Sequence, residues 1–139
     1  MHDRLRASFE ANGLAYAPPP EVVPNTRLAL RLTELARDRD LHEPFHDRLM
    51  DAYWAEGMNV GDAEELRLLA AEVGLDATEV EDTIADADAF LDRVLDSTRQ
   101  AQAIGITGIP AFLLDRRLLV LGAQPREVFE RAFEQLAES

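Results

Sequence analysis

The sequence contains no cysteine. That excludes a disulfide framework, a thiolate metal site and a cysteine nucleophile within this chain. Basic residues are also scarce: 14 Lys and Arg stand against 27 Asp and Glu, a net charge of −13. Nucleic acids and anionic membranes bind clustered Lys and Arg, so neither is an expected partner. No apolar run approaches the ~18–20 residues that span a bilayer. Residues 1–20 lack the apolar centre of a secretory signal. These absences lead to the expectation of a soluble, cytoplasmic protein.

What is present suits one domain, or one domain with an insert. The chain has 139 residues and is 47% apolar, enough to build a core. "HDRLRASFEANG" reads as an amphipathic helix stopped at Gly13. "LAYA" reads as a short strand, followed by the extended connector "PPPEVVPN". Asn25 or Thr26 caps a helix in which Leu28, Leu32, Leu35 and Ala36 share a face. A second helix opens near Pro44 and ends at Gly57, and a third runs from Asp62 to Gly74. Asp76 and Glu79 form a capping box for a long fourth helix. Its apolar positions, from Val80 through Ile84, Leu91 and Val94, continue towards Gly105. "AFLLD" and "LLVLG" around Arg116-Arg117 read as a hairpin, and Pro125 opens a last helix. The block near 26–100 therefore reads as a helical insertion in an α/β unit.

Few residues stand out as chemistry. His42 and His46 have the spacing of two ligands on one helix face, but Pro44 is expected to start the helix after His42. No metal site and no cofactor are expected. The carboxylates from Glu79 to Asp92 fall mostly opposite the apolar stripe, as a solvated face does. No nucleophile elbow and no phosphate-binding glycine loop is present.

The exception is "GITGIPAFLL", residues 105–114, where a proline stands at the mouth of an apolar strand. Proline removes a ladder donor, so its place there needs a reason. X-Pro is the one bond at which a cis peptide costs little, roughly 0.5–1 kcal/mol. A cis turn can leave the preceding residue's N–H and C=O facing outward, where an extended peptide can pair with them.

The stretch from Ala101 to Asp115, with "GAQPREVFERAFEQL" after it, resembles the C-terminal half of DsbA-like thioredoxin-fold oxidoreductases, most closely the FrnE-like branch. "PNTRLALRL" and "LMDAYWAEGMNVGDAEELRLLAAEVGLD" resemble that branch's helical insertion, so the likeness covers about residues 12–138. It implies a helix-rich α/β chain holding an incomplete thioredoxin-like fold. The thioredoxin-like portion would be 1–25 with 101–139, and the inserted helical domain 26–100. It implies that Pro110 is cis, that the Ile109 backbone pairs with substrate, and that Thr107 and Gly108 shape the turn. "LAYA" would then be the second strand of the fold.

The family's Cys-x-x-Cys opens the first helix after the first strand, and this chain has no such pair. The resemblance thus implies the C-terminal part of a thiol–disulfide oxidoreductase whose dithiol lies upstream. Its partners would be a protein or peptide disulfide, or glutathione. A complementing N-terminal half would supply the first strand and the dithiol, whereas a homodimer that closes the sheet by strand exchange would fit a non-catalytic module. Two other readings stay open. The chain also resembles the 2-hydroxychromene-2-carboxylate isomerase and kappa-class glutathione transferase group, in "PNT", "ALR" and the Gly-x-x-Gly-x-Pro turn. Otherwise it is a non-catalytic binding or assembly module.

Overall fold

The computed structural model describes residues 2–21 and 23–138; Val22, in the expected connector, lies outside them. By compactness the chain divides into two units, 1–95 and 96–139. Residues 1–25 thus group with the helices.

The first unit begins with α1 (His2–Ala11), then α2 (Arg27–Asp38) and α3 (His42–Met50). A π-helical turn, Asp51–Ala55, continues α3, and α4 (Ala63–Glu72) and α5 (Ala77–Ala85) follow. Helices α2 to α5 pack on one another. Leu32, Phe45, Leu66 and Leu69 are the largest side chains at the centre and are fully buried. Each such burial contributes about 1.5–3 kcal/mol. Two helix starts follow from local chemistry. The Asp62 carboxylate accepts from the Glu64 N–H, and the Asp76 carboxylate accepts from the Glu79 N–H. The Glu79 side chain does not complete the expected reciprocal box; it pairs with Arg39 instead.

Three expectations are corrected. "LAYA" forms no strand. The Ala17 N–H donates to the Trp54 carbonyl at 2.8 Å, and the three prolines that follow have no N–H for a ladder. Helix α3 starts at His42, ahead of Pro44, because a proline in the first turn sits where no intrahelical donor is needed. The long fourth helix is two helices, α5 and α6 (Leu91–Ala103), broken at 86–90 with Phe90 at φ 61. The break is held by Arg31, which is only 5% exposed. Its Nε donates to the Ala89 carbonyl at 2.8 Å, and its Nη2 donates to the carbonyls of Thr83 and Asp86. A buried guanidinium here satisfies the carbonyls that a helix end leaves open.

The second unit holds the end of α6, the strands β1 (Ala111–Leu114) and β2 (Leu118–Leu121), and α7 (Arg126–Glu138). The strands pair antiparallel with Ala111 opposite Leu121 and Leu114 opposite Leu118. Asp115 and Arg116 in the turn both have positive φ, 51 and 55. Phe112 meets Phe129 of α7 edge-to-face at 5.1 Å, and Val120 and Ala132 are buried. Ile104, Ile109, Leu113, Leu121 and Phe133 stay exposed.

Candidate functional site

The site is built from the end of α6 to the start of β1. The N–H of Ile106 donates to Ala101 and that of Gly105 to Gln102, closing the helix, with Gly105 at φ 95. A non-glycine residue seldom adopts that conformation, so the glycine sets the exit direction. Thr107, Gly108, Ile109 and Pro110 follow as one loop. The Ile109–Pro110 peptide bond is cis. Gly108 is not held there by crowding, since a Cβ added to it would meet nothing within 4 Å.

Pro110 accepts a hydrogen bond through its carbonyl from the Gly122 N–H at 2.8 Å. Residue 110 therefore faces β2, and antiparallel alternation makes 112 and 114 do the same. The missing proline N–H falls on the paired side. Within β1, the N–H and C=O groups of Ala111 and Leu113 point to the opposite edge, and Ile109 precedes the strand across the cis bond. Among the described residues of the second unit, no other element lies beside that edge, and the Ile109 backbone has no hydrogen-bond partner there. The Ile109 side chain is 92% exposed. A groove of about 380 Å³ adjoins it, lined by Ser97, Ala101, Gln102, Ile106 and Ile109 among others. From 100 to 114 the sequence carries no charged side chain, in a chain that is 29% charged. The loop offers a neutral, apolar surface with open backbone groups. That suits an extended peptide better than a charged metabolite.

The other sequence candidates lie elsewhere. His42 and His46 stack with ring centroids 6.1 Å apart, and a hydrogen bond at 3.0 Å joins His42 Nε2 to Arg37. Among the described residues, no group of three or more His, Asp or Glu side chains could hold a metal. Glu79 and Glu81 are tied to Arg39 and Arg67. Hydrogen bonding to Arg93 holds the Asp38 carboxyl below the usual carboxylate range, and Arg48 does the same to Glu56. These are surface pairs, not an acid–base couple.

Sequence reasoning missed Arg31, whose signal was a charge on the apolar face between Leu28 and Leu35. Tyr53 and Trp54, whose helical spacing suits a core or a cleft, adjoin an aromatic cluster in which Phe9 lies 5.1 Å from Tyr16 and 5.7 Å from Trp54. A cavity of about 150 Å³ opens beside it, lined by Tyr16, Tyr53 and Trp54 among others.

The sequence pattern of the DsbA-like thioredoxin domain matches residues 1–134, and the chain belongs to that family. Its fold class is accordingly a helix-rich α/β chain carrying an incomplete thioredoxin-like fold. A solved relative is the crystal structure of a probable DsbA oxidoreductase from Streptomyces coelicolor. It is 41% identical with a TM-score of 0.85, over 96% of this chain and 57% of that one. The uncharacterized protein YwbO of Bacillus subtilis is 28% identical over 110 residues, 78% of this chain and 54% of its own length. The chain thus spans little more than half the length of these relatives.

Proposed function

We propose that this chain is the C-terminal part of a DsbA-like thiol–disulfide oxidoreductase of the FrnE-like branch, acting in the cytoplasm on protein or peptide disulfides. Residues 1–25 and 101–139 would belong to its thioredoxin-like portion, with 26–100 inserted. Here the chain contributes the turn that holds substrate, with Ile109 offering its N–H and C=O to an extended peptide beside Pro110. The dithiol comes from outside this sequence. One of its thiolates attacks a substrate sulfur, giving a mixed disulfide and releasing the other substrate sulfur as a thiolate. The second cysteine, as thiolate, then attacks the first cysteine's sulfur and displaces the remaining substrate sulfur as a thiolate, leaving the dithiol oxidised and the substrate reduced. The opposite direction runs through the same intermediate.

The observation that carries the reading is the open backbone of Ile109 on an uncharged, exposed loop. The test is a titration of the isotope-labelled chain with an extended apolar peptide, followed by amide NMR. The Ile109 amide is expected to shift, with no reduction of a model disulfide by this chain. Disulfide turnover by the cysteine-free chain would overturn the claim that the dithiol lies outside it. A shift of Ile109 with glutathione but not with peptide would favour the glutathione-linked isomerase and transferase group instead.

A further inference from the structure

Asn12 and Gly13 follow the last residue of α1, and together they hold the two groups that close a succinimide ring. We propose that Asn12 is a site of spontaneous deamidation whose rate is set by the cap on α1. In this reaction the Gly13 backbone nitrogen, having lost its proton, attacks Asn12 Cγ. A nitrogen–carbon bond forms, the Cγ–Nδ2 bond breaks, and ammonia leaves. Water then opens the five-membered imide at one of its two carbonyls, giving aspartate or isoaspartate. No oxidant or reductant takes part.

Glycine at 13 leaves the attacking nitrogen with no side chain to shield it. A Cβ there would meet nothing within 4 Å, so approach on that side is open. Gly13 also sits at φ 69, a conformation that glycine adopts readily. The cap works against the reaction. The Gly13 N–H donates to the Glu10 carbonyl at 3.1 Å, and the Leu14 N–H donates to the Phe9 carbonyl at 2.9 Å. These are the two bonds of a Schellman end. Asn12 Nδ2 donates to the Ser8 carbonyl at 2.7 Å. Nucleophile and electrophile are each tied back into the helix, so the ring closes only when the last turn opens. Helix ends open at low free energy. All of these groups lie within residues 8–14, so the restraint is local to the end of α1.

Asn12 alone of the three asparagines precedes a glycine. Asn25 Oδ1 accepts from the Arg27 N–H, and Asn59 Oδ1 accepts from the Gly61 N–H, both at 2.9 Å. Each of these carboxamides is bonded to the residue two ahead. The nitrogen that would attack belongs to Thr26 or Val60, whose branched Cβ crowds it. Conversion of Asn12 changes the helix end. A carboxylate replaces a donor beside carbonyls that already carry negative partial charge. Isoaspartate also adds a methylene to the backbone between the cap's donors and acceptors.

The test is ageing of the full chain at mildly alkaline pH, in buffer and in concentrated urea, followed by peptide mapping that separates aspartate from isoaspartate. Asn12 should convert in both, about 3- to 1,000-fold more slowly in buffer, the range that opening of a helix end allows. Asn25 and Asn59 should stay intact in buffer while Asn12 converts. Leu14→Pro, which removes one donor of the cap, should speed conversion in buffer but not in urea. The proposal is overturned if the two solvents give rates within about threefold, or if buffer slows Asn12 by more than about 1,000-fold. Conversion of Asn25 or Asn59 as fast as Asn12 in buffer would overturn it too, as would a Leu14→Pro chain that ages no faster.

Discussion

The N–H of Gly122 donates to the carbonyl of Pro110 at 2.8 Å. This single bond sets the parity of β1. It directs Phe112 and Leu114 to pair with β2, and it leaves Ala111 and Leu113 on the other edge, with the Ile109 backbone unpaired ahead of the strand. Hydrogen exchange should therefore alternate along the strand in dilute solution. The amides of Phe112, Leu114 and Gly122 should be protected, and those of Ile109, Ala111 and Leu113 should exchange quickly. Uniform protection at the lowest usable concentration would contradict the parity.

Arg31 should matter more than a surface arginine. It is buried and bonds three carbonyls at the break between α5 and α6. Arg31→Met keeps the bulk and removes the donors. Orphaned buried acceptors make this cost about 2–3 kcal/mol. The measurement is the urea midpoint of the helical unit. A loss below about 0.5 kcal/mol, the scale of ordinary surface substitutions, would show the carbonyls satisfied another way.

The hairpin turn holds a correctable cost. Arg116 sits at φ 55, a conformation that costs a non-glycine residue about 1 kcal/mol or more. Arg116→Gly should raise the protection of the β1 and β2 amides, and Arg116→Val should lower it. The opposite order would contradict the turn geometry.

Two carboxylates give a pH dependence of known sign. Asp38 is hydrogen-bonded by Arg93 at 2.8 and 2.9 Å, and Glu56 is paired with Arg48. Both are held below their ordinary values when folded. Their contribution is present above the unfolded carboxylate values, near pH 4. It is lost as the pH falls through the lower folded values. Unfolding curves at pH 6 and pH 3 should show a smaller acid-induced loss for Asp38→Asn than for the unmodified protein. An identical loss would remove Asp38 from the account.

Much of the fold was legible where the cause is local. Asp62 and Asp76 announce their helices because each carboxylate caps an N–H two or three residues on. The hairpin was legible from the apolar runs on either side of Arg116-Arg117, and its two residues of positive φ are Asp115 and Arg116. The break at 86–90 was not, because the apolar spacing continues through it and its cause, Arg31, lies more than fifty residues away in sequence. "LAYA" alternates like a strand, but a ladder needs a neighbour, and that stretch is bonded to Trp54 instead. At the site, the proline and the neutral stretch were visible in the sequence. Which groups of β1 face β2 was not, since that depends on the pairing of Pro110 with Gly122.

The proposed function requires a dithiol beside the Pro110 turn that comes from outside this sequence. The most direct measurement is the intact mass of the native product purified from its source cells, together with whatever copurifies. The account predicts a polypeptide well above 15.5 kDa with a Cys-x-x-Cys upstream of these residues, or a tightly held partner that carries one. A cysteine-free product of 15.5 kDa with no dithiol-bearing partner would contradict it.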